Sequence, residues 1–243
     1  MRVVVTGASG RIGSVLSTAL RTGHDTVLMD RAPLPGAGVL LADLSVPPRP
    51  GAGAADWSAA FAGADAVVHL AGASSVHAPW AVHLREGVRT LRNVLAAAEA
   101  HRVPRFVYAS SNWAVRLRER LTAPACYHPE GPKIGSRAFP MPWRFYGFTK
   151  AYGEWQGWRR VRAGRLASFV AVRIGAFAAV PRPILRPHAV WLGAEDCAAL
   201  FRRCIEAPVE GFHLVYGVSA QREAPYDLSH TRALLGWTPR QVA

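Results

Sequence analysis

Val3-Val4-Val5-Thr6-Gly7-Ala8-Ser9-Gly10-Arg11-Ile12-Gly13 is the stretch that decides how this chain folds. Three consecutive valines read as a short buried strand. The glycines at 7, 10 and 13 mark the turn into a helix running through Leu20. Glycines at such a turn let the backbone approach a pyrophosphate, and the helix N-terminus favours the pyrophosphate's negative charge. The spacing is Gly-x-x-Gly-x-x-Gly, one residue longer in its first gap than the commonest dinucleotide fingerprint. A second short strand, Thr26 to Met29, ends at Asp30. A carboxylate there accepts hydrogen bonds from a ribose 2′-hydroxyl and repels a 2′-phosphate, which favours NAD over NADP. Arg31 works against that reading, because a neighbouring guanidinium accommodates a phosphate. Asp43 reads either as a partner for the adenine amino group or as an ordinary loop aspartate, and Gly72 as a close backbone approach.

The same alternation continues outward from this stretch. Gly38–Leu41, Ala66–Leu70, Arg105–Ala109, Phe169–Val172 and His213–Tyr216 read as further strands. Trp57–Phe61, Pro79–His101, Tyr146–Arg162 and Glu195–Ile205 read as helices, and Ser229 as the cap of a last helix ending before Gly236. Strands alternating with helices imply right-handed crossovers and an α/β, doubly wound parallel sheet, the Rossmann arrangement. Residues 47–53 form a Pro/Gly-rich loop. Residues 122–144 hold Pro124, Pro129, Pro132, Pro140 and Pro142 with little periodicity, which predicts a long loop of the kind that is often functional. The expected division is a dinucleotide-binding domain over residues 1–175 and a small C-terminal substrate-binding portion over 176–243.

Half of the 243 residues are hydrophobic, enough for a sizeable core. No apolar run is long enough to span a membrane, and the first residues lack the features of a secretory signal. Cys126, Cys197 and Cys204 are odd in number and scattered, which predicts neither a metal site nor a disulfide framework and makes the cytoplasm the simplest home. The net charge of +13 is carried by arginine-rich helix faces without a nucleic-acid motif. Its expected consequence is a field that favours anionic small molecules.

Tyr146-Gly-Phe-Thr-Lys150 contains one of only two lysines in the chain, the other being Lys133. Positions i and i+4 share a helix face, so the phenol and the ammonium are able to enter one pocket. A nearby ammonium lowers a phenol's pKa, and a tyrosine tuned in this way takes a proton from a substrate hydroxyl. The spacing alone also describes a tyrosine and a lysine on a helix surface; the ordered motifs around it favour the chemical reading.

Together, Thr6-Gly7-Ala8-Ser9-Gly10-Arg11-Ile12-Gly13, Asp43-Leu44, His69-Leu70-Ala71-Gly72, Ser110-Ser111 and Tyr146-x-x-x-Lys150 resemble the extended short-chain dehydrogenase/reductase superfamily. Ala109-Ser110-Ser111-Asn112, Val172-Arg173-Ile174-Gly175, Glu206-Ala207-Pro208-Val209 and Leu234-Leu235-Gly236-Trp237-Thr238-Pro239 are similar to stretches of the uronate dehydrogenases and their relatives within it. The resemblance implies that Tyr146 is the general base and that Lys150 is its partner and holds the nicotinamide ribose. It implies that Ser111 hydrogen-bonds the reacting oxygen, with Ser110 close by, that Asn112 and Ser74 touch substrate hydroxyls, and that Arg173 binds a substrate carboxylate. The residues alone also allow Arg173 as an ion pair at a strand end. Arg11, Ile12, Leu44, Leu70, Ala71 and Ile174 complete the implied cofactor site.

The reaction implied is oxidation of a sugar or sugar acid, at C1 of a hexuronate in the uronate enzymes, with hydride passing to NAD. The alternatives are an epimerase acting on a nucleotide-linked or phosphorylated sugar by transient oxidation, and a non-enzymatic cofactor-sensing protein. A homodimer through the helix preceding the fifth strand and the Tyr146 helix is a further implication. Four departures bear on the substrate: Gly87 in place of an asparagine, Trp113 in place of a histidine, Ala176 in place of a serine, and an enlarged 122–144 loop. In that loop Lys133, Arg137 and Arg144 are candidates to meet a larger anionic substrate, or else are solvated. Glu119 and Glu130 read as too loosely placed to act as an acid/base pair.

Overall fold

The computed structural model describes residues 1–49 and 56–242. Part of the predicted 47–53 loop, residues 50–53, lies outside the described residues. Among the described residues, seven parallel strands form one sheet. They are β1 (Arg2–Thr6), β2 (Asp25–Asp30), β3 (Val39–Leu41), β4 (Ala66–His69), β5 (Arg105–Ser111), β6 (Ser168–Ile174) and β9 (Gly211–Gly217). Their spatial order is β3-β2-β1-β4-β5-β6-β9. The chain builds outward from β1 in one direction and from β4 in the other, so the crevice between the carboxyl ends of β1 and β4 is where ligands bind in open α/β sheets.

Side-chain alternation in the strands divides the core into two layers. Val3, Val5, Ala66, Val68, Val107, Val170 and Val172 face α1 (Arg11–Leu20) and α7 (Ala194–Glu206). Val4, Val67, Phe106, Tyr108, Phe169 and Ala171 face α3 (Thr90–Ala100) and α5 (Arg144–Arg162). The long helix predicted over 79–101 is broken into α2 (Trp80–Val82), a wide π-helical segment His83–Arg89, and α3. Helix α5 lies close on the sheet because it presents glycine inward: a Cβ on Gly153 or Gly157 would overlap the rings of Tyr108 and Phe169.

Residues beyond 175 contribute to this same sheet. Strand β9 pairs along the full length of β6, and Cys197, Leu200, Phe201 and Leu235 share a core cluster with Val170 and Val172. A two-stranded ribbon of β7 (Ala176–Phe177) and β8 (Trp191–Leu192) and the short helices α6 (Leu185–Ala189) and α8 (Ser229–Leu235) complete this part. Ser229 does not cap α8. Asp227 accepts its amide and its hydroxyl, both at 2.8 Å, because a carboxylate two residues ahead reaches the free amides that Ser229's own side chain does not. Gly236 closes the helix in the left-handed conformation, at φ +61°.

The loop following α4 (Arg116–Thr122) is held from one point. Glu119 is fully buried and accepts from Arg116, Arg186, Tyr127 and Tyr226, joining α4, the loop and the C-terminal residues. Ile134 bridges in parallel to Tyr226. The loop is therefore a packed structural element on the carboxyl side of β6 and β9.

Candidate active site

A cavity of about 590 Å³ opens at the carboxyl ends of β1, β4 and β5. Its floor is the turn read from the sequence. Gly7 has φ +75°, and a Cβ there would stand 2.5 Å from the amide nitrogen of Ala71. A Cβ on Gly13 would collide with the carbonyl oxygen of Gly7 and stand 2.7 Å from Ala8. Only glycine lets these segments approach so closely. Gly10 precedes α1 with no side-chain cap, so the first amides of α1 remain open as donors. Arg11 and Ile12 line the same floor. This is a cradle for an anion at a helix N-terminus.

Asp30 stands at one end of the cavity. Its carboxylate accepts from Ser9 N at 2.9 Å, Arg31 N at 2.6 Å and Ala32 N at 3.2 Å, which holds the glycine turn against the end of β2. Asp43 lines the wall beside Leu44, and hydrogen bonds from Ser45 pull its pKa down against the cost of partial burial, helped by Arg31 and Arg85. Leu70, Ala71, Gly72 and Ser74 follow β4 along the cavity. Glu86 and Thr90, on the segment after α2, also line it. The sequence motifs single out neither residue; the i, i+4 spacing of the two on the predicted helix is the available signal. Arg31 also lines the cavity and donates to Glu86 at 3.1 Å.

The other end of the cavity holds Ser110, Ser111, Tyr146, Lys150 and Ile174. Lys150 is held by the carbonyl of Ala109 at 2.7 Å, and its ammonium lies 5.6 Å from the centre of the Tyr146 ring. Burial pushes the Lys150 pKa down to about 8, opposed by the charge of Glu154. The phenol of Tyr146 departs from the sequence expectation: burial raises its pKa, while Ser111 and Arg11 act in the opposite direction. Desolvation of the phenolate outweighs the nearby positive charge.

Two expected substrate residues do not line the cavity. Arg173 is fully buried, and its fork is taken by Glu154, with Nε–Oε1 and Nη2–Oε2 distances of 2.8 Å each. Its remaining nitrogen faces the carbonyls of Ser136 and Ala138 and the hydroxyl of Tyr216 at 3.3–3.5 Å. In this structure Arg173 forms the strand-end ion pair that the residues also allowed, its buried guanidinium matched by the full charge of Glu154. Asn112 is buried as well, with Oδ1 3.4 Å from the Ser111 hydroxyl. Ser110 lines the cavity but donates to Glu154 at 2.7 Å.

The departures have structural roles. Trp113 stands edge-on to Tyr146 at 6.3 Å, with Arg186 over its ring. Gly87 faces Thr149 on α5, where an added Cβ would stand 3.2 Å from the threonine Cβ. Ala176 lies in the β7–β8 ribbon, outside the cavity. Of the loop cations, Lys133 is spent on the carbonyls of Cys126 and His128, Arg144 reaches His77 at 3.1 Å, and Arg137 lines a separate shallow groove with Asp227 and His230. Behind the site, His83 is buried and packs 6.0 Å from the Tyr146 ring. Among the described residues no helix is long and apolar enough to cross a membrane, and no group of His, Cys, Asp and Glu could hold a metal ion.

A narrow glycine floor, open helix amides and a carboxylate at the far end fit a dinucleotide, and the Ser–Tyr–Lys end fits proton transfer beside it. Comparisons with known proteins agree. The profile of the NAD dependent epimerase/dehydratase family matches residues 3–180. An NAD-dependent glucose-6-phosphate dehydrogenase of Haloferax volcanii is 34% identical, over 98% of this chain and 92% of its own length. A uronate dehydrogenase of Agrobacterium fabrum is 32% identical, over 100% of this chain and 85% of its own. The crystal structure of a mutant uronate dehydrogenase from Agrobacterium tumefaciens complexed with NAD superposes with a TM-score of 0.80 at 29% identity, covering 100% of this chain and 85% of that one. Fold, site and relatives lead to one conclusion: the chain belongs to the NAD-dependent epimerase/dehydratase family of extended short-chain dehydrogenases.

Proposed function

We propose that this chain is an NAD-dependent dehydrogenase that oxidises a hydroxyl of a sugar or sugar acid to a carbonyl. The observation that carries the reading is the meeting of Ser111, Tyr146 and Lys150 at one end of the cavity whose other end holds Asp30. NAD, when bound, supplies the hydride acceptor. The glycine turn and the α1 amides would hold its pyrophosphate, Asp30 its adenosine ribose, and Lys150 its nicotinamide ribose. Ser111 would hydrogen-bond the reacting oxygen, and Tyr146 would take the hydroxyl proton. The raised phenol pKa gives Tyr146 the basicity for that step once the phenolate has formed, and the Lys150 ammonium, 5.6 Å from the ring centre, would stabilise that anion. Ser74, which lines the cavity, would meet a substrate hydroxyl.

The relatives that support this reading act, by their names, on glucose 6-phosphate and on uronates. With Arg173 committed to Glu154, any acidic group of the substrate would be met by another cation, and we do not assign it to that arginine. The test is a panel of uronates, sugar phosphates and nucleotide sugars with NAD or NADP, followed by NADH absorbance and mass spectrometry. Accumulating NADH with an oxidised product supports net oxidation. Product formation without net NADH would replace it with epimerisation.

The proposed assembly is a homodimer through α5. Phe145, Phe148, Trp155 and Trp158 are about half exposed along this helix, and Trp80 packs on Phe145 at 5.0 Å. A second copy covering this stripe would remove that apolar surface from water. A Trp155→Glu/Trp158→Glu variant that keeps the wild-type mass by light scattering would refute it. The proposed location is the cytoplasm, a reading supported by three buried cysteines that are all free.

A further inference from the structure

The adenosine end of the cavity carries a conflict. Asp30 repels a 2′-phosphate, yet Arg31 beside it is the residue type that would welcome one. Glu86 settles which of the two acts. Its carboxylate lines the cavity and accepts from Arg31 Nη2 and from Arg85 Nη2, each at 3.1 Å. Glu86 is 18% exposed, whereas the two arginines are 51% and 52% exposed. The carboxylate is thus the more fixed partner, and the guanidinium groups come to it. The backbone sets its position. Glu86 lies in the π-helical segment, and the hydroxyl of Thr90 bonds back to the carbonyl of Arg85 at 3.2 Å across the wide turn.

Charge points the same way. Arg31 and Arg85 also act on Asp43, so the two guanidinium groups serve both Asp43 and Glu86 at an end of the cavity that Asp30 lines as well. A 2′-hydroxyl adds no charge to that set. A 2′-phosphate adds nearly two negative charges where Arg31 and Arg85 already serve Glu86 and Asp43.

We propose that Glu86 is a determinant of cofactor specificity, acting by capturing Arg31 and Arg85 so that neither receives a 2′-phosphate. The inference rests on the reading that this cavity takes a nicotinamide dinucleotide. Removing one like charge beside a phosphate monoester at a protein–water boundary, and freeing an arginine, is worth about a tenfold change in affinity.

The experiment is titration calorimetry of NAD and of NADP against wild type, Glu86→Gln, Glu86→Ala and Glu86→Gln/Arg31→Gln, each at low and high salt. The expected result is an NADP dissociation constant that falls about tenfold in both single variants, while that for NAD stays within about twofold. The gain should fall in the double variant, which frees Arg85 alone, and shrink at high salt, as a screened interaction does. An unchanged NADP affinity in both single variants, with NAD still bound, overturns the role of Glu86 alone. A gain that survives undiminished in the double variant overturns the route through Arg31. If wild type binds neither dinucleotide, the reading of the cavity falls, and the inference with it.

Discussion

Replacing Glu154 with glutamine isolates the charge pair beneath the active site. Glu154 and Arg173 have side chains 3% and 0% exposed, joined by two bonds of 2.8 Å. A glutamine keeps the shape but removes the charge and turns a donor toward the guanidinium. Arg173 would then be a buried cation with no counter-charge of its own, a situation that costs about 3–5 kcal/mol. For a chain of this length each kcal/mol moves the melting temperature by roughly 2–4 °C, so the expected fall is about 6–20 °C. The double variant Glu154→Leu/Arg173→Met removes both charges and should recover most of the stability, because buried pairs replaced by apolar residues are often neutral. Thermal unfolding and denaturant titration in the absence of cofactor measure both. A Glu154→Gln variant within about 1 kcal/mol of wild type, or a double variant no better than Glu154→Gln, would refute the reasoning. So would a selective rise in KM for carboxylate substrates in an Arg173→Met protein of unchanged stability.

Three other outcomes are expected. Tyr146→Phe should lower kcat by about 10²- to 10⁴-fold while NAD affinity by calorimetry stays within a few-fold, since it removes proton transfer without touching the pyrophosphate floor. Gly13→Ala should cost about 1–3 kcal/mol from overpacking and abolish measurable NAD binding, because the added Cβ falls against Gly7 and Ala8. His69 is buried against Thr6 at 2.7 Å, and burial, aided by Lys150, depresses its pKa to about 3. The unfolded chain therefore binds this proton first, so stability is complete above about pH 6.5 and declines as pH falls toward 3, at roughly 1.4 kcal/mol per pH unit from His69. Unfolding free energies from denaturant titrations at pH 7.5 and pH 5 should differ by roughly 2 kcal/mol on this account, and by distinctly less in His69→Gln.

Much of the site is legible in the sequence because it depends on local signals. Gly7, Gly10 and Gly13 follow an apolar run and open a helix, a pattern that specifies a turn wherever it occurs. Tyr146 and Lys150 share a helix face by spacing alone, and Asp30 ends a strand whose length the sequence shows. The parts that the sequence leaves hidden depend on contacts distant along the chain. Arg173 lies 19 residues from Glu154, and Arg31 lies 55 from Glu86. Nothing in either local sequence announces those partners. The tuning of Tyr146 is hidden for a related reason: the spacing predicts an ammonium nearby, but only packing reveals how much water the phenol loses.

By itself, then, the sequence determined the order of strands and helices, the glycine floor of the cavity and the face that carries Tyr146 and Lys150. Those are matters of periodicity and of backbone freedom at single residues. Tertiary structure decided which charges are spent and which remain available. It committed Arg173 to Glu154 and Lys133 to loop carbonyls, paired Arg31 with Glu86 at the cavity wall, and left Asp30, Ser111, Tyr146 and Lys150 facing the cavity. The physical reason is that an ion's role depends on its partner and its solvation, and both are set only when distant segments meet.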